Sequence, residues 1–486
     1  MQIVLDLPAQ FKPLLDEVAL FVRVLAAKVE EIQAEPRTDY AQVERVVARH
    51  TAAIERHAHG ALLRALDIDA PEVRVGREVH RRVGRYPATY YTAAGPVVVE
   101  RSIYRPAAPR NAPTVDPVSL RAGVVGEGWL PDTARAMAFL LQQGTAREAH
   151  ATARELGRLP FSVASFERVA HAVGTLAVAR QEVVEQTLIE AMEVPPEARS
   201  VSVSLDRVSV PIEEPRARPR GRPAQGAPKR PVTRAWRMAY CATVSLHDAE
   251  GRTLRTLRYG RMPATGATTL CEGLCEDVLA LLKQRPDLRV MGLCDGAQEL
   301  WSLLDDHLGV PPITARWVCL VDLWHLLEKL GHAARAVHGE AASDATVERW
   351  RLRLLNRRGA WREVEAEIAG WDRREGPASG ERPVHDALTF LANQGAAGRL
   401  EYAAARRAGL PVGSGNVEAT CKSLFSLRFK RPGARWKHET GEHIVTLRAW
   451  ALSDRWEEAI VLTLEPLRQK VRPMRAAKKR QAAVAA

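Results

Sequence analysis

Three acids in this chain, Asp206, Asp295 and Glu418, stand where a carboxylate needs a reason to be. Asp206 interrupts a ladder in which Val201, Val203 and Leu205 alternate with Ser202 and Ser204, and Asp is unfavourable inside a strand. Unpaired burial of its charge would cost several kcal/mol, so the group must be protonated, paired with a cation such as the neighbouring Arg207, or bound to a metal. Asp295 ends the apolar run Arg289 to Cys294 and precedes Gly296-Ala297 and a helix. It reads equally as a helix N-cap and as a ligand at the carboxyl end of a strand. Glu418 follows Gly413-Ser414-Gly415 on the first turn of an amphipathic helix that begins near Asn416. There it can complement the helix dipole or hold a metal. Lys422, Arg428, Lys430, Arg431, Arg435 and Lys437 come after it, around Phe425, Phe429 and Trp436. That set is either a solvated helix face or a row of phosphate contacts. A metal-holding acid beside phosphate-holding bases is the equipment of phosphodiester chemistry. Asp322 and His325 form a further pair, spaced to start one helix. Asp322 is an N-cap, or it fixes the tautomer of a His325 that contacts a scissile phosphate or a displaced strand.

The elements that must position these residues follow from periodicity. Residues 1–70 repeat apolar positions (Val18, Phe21, Val22, Leu25, Val29) at three- and four-residue steps, predicting a helical arm or bundle. Residues 71–117 hold a β-hairpin around Ala94-Gly95-Pro96 and end in a Pro-rich break. Residues 118–195 are helical, and Thr145 to Leu156, a turn through Phe161 and Ser165 to Val173 have the breaks of a helix-turn-helix. Residues 196–330 begin a core of three meandering strands (through Val210, Trp236 to Leu246, Thr253 to Tyr259), followed by strands alternating with helices. This is the order of a ribonuclease-H-like α/β fold, a mixed five-stranded sheet of order 3-2-1-4-5. In that order the first and fourth strands are neighbours, so Asp206 and Asp295 approach each other, and two facing carboxylates repel unless a divalent ion lies between them. Residues 331–409 read as a helical insertion anchored by Trp350, Trp361 and Trp371. Residues 410–465 carry the third acid and the bases, and 466–486 form a basic frayed helix or tail. Glu213 to Thr233 reads as a flexible basic connection.

Composition sets outer limits. The chain has 486 residues, 46% hydrophobic and 26% charged, which excludes disorder over most of its length and suggests roughly three domains. Lys+Arg 70 against Asp+Glu 58 gives +12, a balance that favours a polyanionic partner. The six cysteines all lie beyond residue 240 without a paired framework, and no apolar run reaches the length of a membrane span. A reducing, cytoplasmic and nucleoid-associated location is the expectation.

With these residues assembled, the chain resembles the DDE transposases of bacterial insertion sequences, most closely the group named for the Kra element. The resemblance runs from about Tyr90 to Trp456. It is carried by Tyr90-Tyr91-Thr92 with Gly95-Pro96-Val97 and Tyr104-Arg105, by Cys294-Asp295-Gly296-Ala297, by Asp322-Leu323-Trp324-His325-Leu326-Leu327-Glu328, and most specifically by the block from Gly413 to Trp436. It implies a ribonuclease-H-like core with an insertion before the third acid, and Asp206, Asp295 and Glu418 as a triad. It further implies two Mg²⁺ ions, with Mn²⁺ as a substitute, and double-stranded DNA (element ends and target) cleaved and joined by a homodimer or higher oligomer. The Asp322/His325 pair looks like one in the related Mutator-like transposases. In much of the family a glycine follows the first Asp, whereas here Arg207 does. Two other readings fit the same features: a catalytically inactive, domesticated DNA-binding protein or regulator, and a structure-selective nuclease of the same fold.

Overall fold

The computed structural model describes residues 7–35, 37–106, 111–215, 232–371 and 382–474. The greater part of the basic connection (216–231), residues 372–381 of the insertion and residues 475–486 of the tail lie outside the described residues. The chain divides into two compact units, one of residues 1–179 with 460–486, the other of residues 180–459. Among the described residues no helix is long and apolar enough to cross a membrane.

The second unit is built on five strands: β1 (Ser200–Pro215), β2 (Val232–His247), β3 (Thr253–Arg261), β4 (Arg289–Cys294) and β5 (Trp317–Val321). They lie in the order β3-β2-β1-β4-β5, with β1 to β3 an antiparallel meander and β4 and β5 parallel to β1. This is the 3-2-1-4-5 order that the alternation of strands and helices anticipates. The reason is local. A parallel neighbour needs a crossover, and the helices α1 (Thr268–Gln284) and α2 (Gln298–Leu308) supply one before β4 and one before β5. β1 is covered on both faces, as its apolar residues of both parities require.

The two faces differ in kind. Val201, Val203 and Leu205 point, with Val244, Leu246 and Leu257, into a core shared with α1, α2 and α3 (Leu323–His338). That core runs on into the insertion helices Glu340–Asn356 and Ala360–Ala369, where Trp350 is fully buried and Trp371 packs on it at 5.5 Å. The other face is paved with small and hydroxyl residues, Ser202, Ser204, Thr243 and Ser245, all buried. Small residues let a helix approach closely. A β-carbon on Gly260 would meet Leu424 at 2.7 Å and Val445 at 2.8 Å, which marks how tightly the helical stretch 415–429 and the helix His438–Leu452 lie on this face.

The first unit pairs the long hairpin Glu78–Thr92 and Gly95–Pro106 with a short strand, Glu72–Val75. Val471–Pro473 joins the edge of that sheet antiparallel to Glu72–Val75. Within the stretch read as a basic frayed helix or tail, 471–473 is therefore strand, with Val471 buried beside Val73 and Tyr104. Two helices, Ala146–Glu155 and Val163–Ala179, occupy the stretch of the helix-turn-helix candidate, the first opened by a capping box of Thr145 and Glu148.

Candidate active site

The parallel registers bring three aspartates into one row. Val203 of β1 pairs with Gly292 of β4, so three residues further along each strand Asp206 stands level with Asp295. Cys294 pairs with Val321 of β5, so the next residues, Asp295 and Asp322, are level too. The Asp322 N–H donates to the Cys294 carbonyl at 2.8 Å, which carries the pairing one step beyond the strands. Asp295 and Asp322 directly follow β4 and β5, at the carboxyl ends where ligands gather in α/β sheets, whereas Asp206 lies within β1, just past its last residue paired with β4.

Asp206 does not use Arg207 as its counterion. The Arg207 guanidinium turns to Glu299 of α2, which also accepts from Tyr240 Oη at 2.7 Å. Asp206 Oδ1 accepts from the Arg207 backbone N–H at 2.6 Å, and Oδ2 from the Cys421 thiol at 3.2 Å. Cys421 belongs to the helical stretch 415–429, and Cys241 is the cross-strand partner of Asp206 on β2. The hydrogen bond with Cys241, then burial and then Asp206 itself push the Cys421 thiol up, so it stays protonated and donates. Asp295 Oδ1 accepts from the Ala297 N–H at 2.8 Å, closing the turn ahead of α2 instead of capping the helix, whose N-cap is Ala297. Gly296 makes that turn possible, with φ +98° and the Phe390 ring 2.6 Å from where a β-carbon would lie.

Asp322 is fully buried and saturated. Its Oδ1 accepts from the Trp324 N–H at 2.7 Å and the His325 N–H at 3.0 Å, capping α3. Its Oδ2 accepts from the Ser414 N–H, and Leu323 N–H donates to Val412 at 3.0 Å. Asp322 therefore staples the segment that leads to Glu418 onto the start of α3. Burial alone would raise its pKa, but His325 and the Ser414 N–H outweigh burial and bring it down to about 2. Asn416 adds a second anchor, donating from Nδ2 to Ser245 and Thr253 at 3.1 Å each.

The staple sets Glu418 beside His325. His325 Nδ1 lies 3.4 Å from Asp322 Oδ1 and 3.4 Å from Glu418 Oε1. Asp322 outweighs desolvation and, with Glu418 and Asp295 adding to it, pushes His325 up to about 9, so the ring is an imidazolium at neutral pH. The Glu418 carboxyl is shifted up, first by burial, with Asp322 and Asp206 repelling its charge and His325 opposing the shift. Among the described residues, Asp322, His325 and Glu418 form the group whose ligand atoms all lie within 4.8 Å of one another. Asp206 and Asp295 are outside that group. Glu418 is felt by Asp206, and His325 by Asp295, through their charges.

The bases divide. The helix ends at Phe429, and only Lys422 and Arg428 lie on it; Lys430, Arg431, Arg435 and Lys437 are on the following irregular segment, which contains Pro432 and Gly433. Lys422, Lys430, Arg435 and Lys437 are exposed, and Arg431 is half-buried. Arg428 is buried, its guanidinium 4.6 Å from the Trp436 ring, and Trp436 packs on Phe429 at 4.3 Å. The Trp436 backbone continues onto the end of β1, its N–H donating to Pro211 at 3.1 Å and its carbonyl accepting from Glu213 at 2.8 Å. Ser414, Asn416 and Cys421 are site residues that the sequence reading passes over. Their one sequence signal is position, within a turn or two of Glu418.

No family model matches the chain, and no curated protein matches it. Among solved structures it is similar to the Drosophila P element transposase strand transfer complex, at 13% identity over 67% of this chain and 79% of that one, with a TM-score of 0.23. It is also similar to the Mos1 transposase paired-end complex with left transposon end, at 14% identity over 54% of this chain and 95% of that one, with a TM-score of 0.15.

Proposed function

We propose that this chain is a DDE-type DNA transposase on a ribonuclease-H-like core, cleaving the ends of a mobile element and joining them to target DNA. The observation that carries the reading is the register that sets Asp206 of β1 level with Asp295 just past β4, with the helical stretch that bears Glu418 stapled to Asp322 and touching Asp206 through Cys421. The donor set fits a hard divalent cation. All three are carboxylates, and the pKa of Glu418 is raised in part by the repulsion of Asp322 and Asp206, which a cation would relieve. Asp206, Asp295 and Glu418 would hold Mg²⁺, which when bound activates the attacking oxygen and stabilises the leaving one.

The chain's own residues supply the rest. Asp322 is spent on three N–H groups and serves as the fixed post from which His325 and Glu418 project. His325, whose pKa is raised to about 9 chiefly by Asp322 and which stands 3.4 Å from Glu418, can meet a phosphate oxygen as a charged donor. Lys422, Lys430, Arg435 and Lys437 are free to track a DNA backbone, whereas Arg428 and Trp436 hold the segment that carries them. The test is cleavage and strand transfer on the DNA that flanks the gene, including any inverted repeats in it, with and without Mg²⁺. Asp295→Asn and Glu418→Gln should each abolish both steps, and unchanged cutting by either variant ends the reading. One observation favours a second reading, a DNA-binding protein without catalysis: Glu418 is engaged by His325 and grouped with Asp322, not with the other two acids. Binding to the flanking DNA that needs no divalent ion, with no cleavage under any metal, would select it.

A further inference from the structure

Of the 11 tryptophans, all but two are buried or half-buried, and the exposed ones are Trp236 at 50% and Trp324 at 60%. Trp236 already carries a cation, the Arg234 guanidinium 4.7 Å from its ring. Trp324 differs in place and in company. It is the second residue of α3, and its backbone N–H is one of the groups that Asp322 accepts, at 2.7 Å. The indole is seated by its pyrrole edge on the approach to Glu418: a β-carbon on Gly413 would stand 3.3 Å from Cδ1 and 3.4 Å from Nε1. A side chain of this kind offers about 150–250 Å² of surface, and most of this one is open beside the row of acids.

What the ring receives follows from its neighbours. Asp322 is level with Asp295 on the next strand, and strands lie ~4.8 Å apart, so the indole starts within roughly 10 Å of Asp295, about three base steps of ~3.4 Å. Glu418 stands 3.4 Å from His325, the residue after Trp324. Glu328, one turn further along α3, is close enough to Glu418 to repel its charge. Carboxylates on this side of the ring repel phosphate, so what lies on the indole is a neutral, flat group. A nucleobase is such a group, and its π-face stacks on an aromatic ring whatever its sequence. Inside a duplex both faces of a base are covered by the stack, so the ring takes only a base that has been unpaired or splayed out. We propose that Trp324 is a stacking platform for an unpaired base beside the phosphate held at Asp206, Asp295 and Glu418, so that the DNA this site takes is opened at the cut. The inference rests on the transposase reading for the position of the cut, and on the exposed ring for the stacking.

The test reads binding apart from cleavage. The full chain is titrated, in EDTA so that nothing is cut, with a duplex of the DNA that flanks the gene and with the same duplex carrying a short run of mismatches walked along it. Wild type should bind one of the mismatched duplexes at least about fivefold more tightly than the paired one, the low end of what a stacked base contributes. Trp324→Ala should bring that ratio to within about twofold of unity, and Trp324→Phe, which keeps a ring, should retain most of it. The side chain is exposed, so both variants should melt with wild type. A wild-type ratio near unity overturns the proposal, as does a ratio that Trp324→Ala leaves in place or that Trp324→Phe loses as fully as alanine. A fall in melting temperature shared by both variants marks the ring as structural and overturns it too. The transposase reading fails separately. A chain that shows the Trp324-dependent ratio but cuts nothing in Mg²⁺ loses that reading and keeps the platform, and a chain that cuts without the ratio does the reverse.

Discussion

Replacing Asp322 with alanine tests the staple on which the placement of Glu418 depends. The side chain is wholly buried and accepts three backbone N–H groups, two at the start of α3 and one from Ser414, itself 2% exposed. Loss of an N-cap costs about 1 kcal/mol, and a buried N–H left without an acceptor costs about 1–3 kcal/mol. Electrostatics gives an independent figure. The carboxyl titrates near 2 in the folded chain against 3.8 ordinarily, and about 1.4 kcal/mol per pH unit makes that roughly 2 kcal/mol at neutral pH. The two routes overlap and do not add, so Asp322→Ala should lose about 3 kcal/mol. For a unit of this size that is a fall of about 6–10 °C in its melting temperature. The sign with pH follows from the depressed pKa. As pH falls the unfolded chain takes up the proton first, so the contribution is complete above about pH 4 and fades towards pH 2, where wild type and variant should converge. Calorimetry of the full chain measures the loss, and NMR titration of His325 should show its pKa drop from about 9 towards 6.5 once the neighbouring carboxylate is gone. A loss below about 1 kcal/mol with His325 unmoved would mean that Asp322 holds neither helix nor loop.

Two further expectations concern titration and the bases. Burial takes the His247 pKa down to about 4 and the Asp277 pKa up to about 7. As pH falls from 6.5 to 4 the first costs stability, because the unfolded histidine binds the proton, while the second gains it, because the folded carboxyl does; these two contributions should therefore nearly cancel in that window. Asp277→Asn should expose the histidine's share as a fall of about 3 kcal/mol between pH 6.5 and 4 in urea titrations, and a flat profile would contradict the burial of His247. On DNA, Lys430→Ala and Lys437→Ala should each lower the slope of log K against log salt by about 1, with no loss of stability. Arg428→Ala should do the opposite, lowering stability through the lost contact with Trp436 and leaving the salt slope unchanged.

Much of the core was legible in the chain itself. The alternation of Val201, Val203 and Leu205 with serines, the turn at His247 to Gly251, and the apolar runs before Asp295 and Asp322 are period-two and strand-end signals that depend on neighbours a few residues away. They are enough to order five strands, because a meander followed by crossovers leaves few sheets to choose from. They also put Asp206 and Asp295 at strand positions that become adjacent. Local signals failed where a segment takes its structure from a distant partner. Val471–Pro473 is a strand only because Glu72–Val75 offers it an edge, and the basic segment past Phe429 is irregular, held to the end of β1 by the backbone of Trp436.

Tertiary structure alone decided who faces whom at the site. Asp322 lies level with Asp295 by register, Ser414 reaches Asp322 across 92 residues of chain, and Cys421 reaches Asp206 across 215. Arg207, adjacent in sequence to Asp206, pairs with Glu299 92 residues away. Residue types declared what chemistry was available, since a carboxylate in an apolar strand must be compensated by something. Which group compensates it depends on distances of three to four ångströms between segments remote along the chain, and those are set by the closure of the sheet and the packing of two helices on its hydroxyl-lined face.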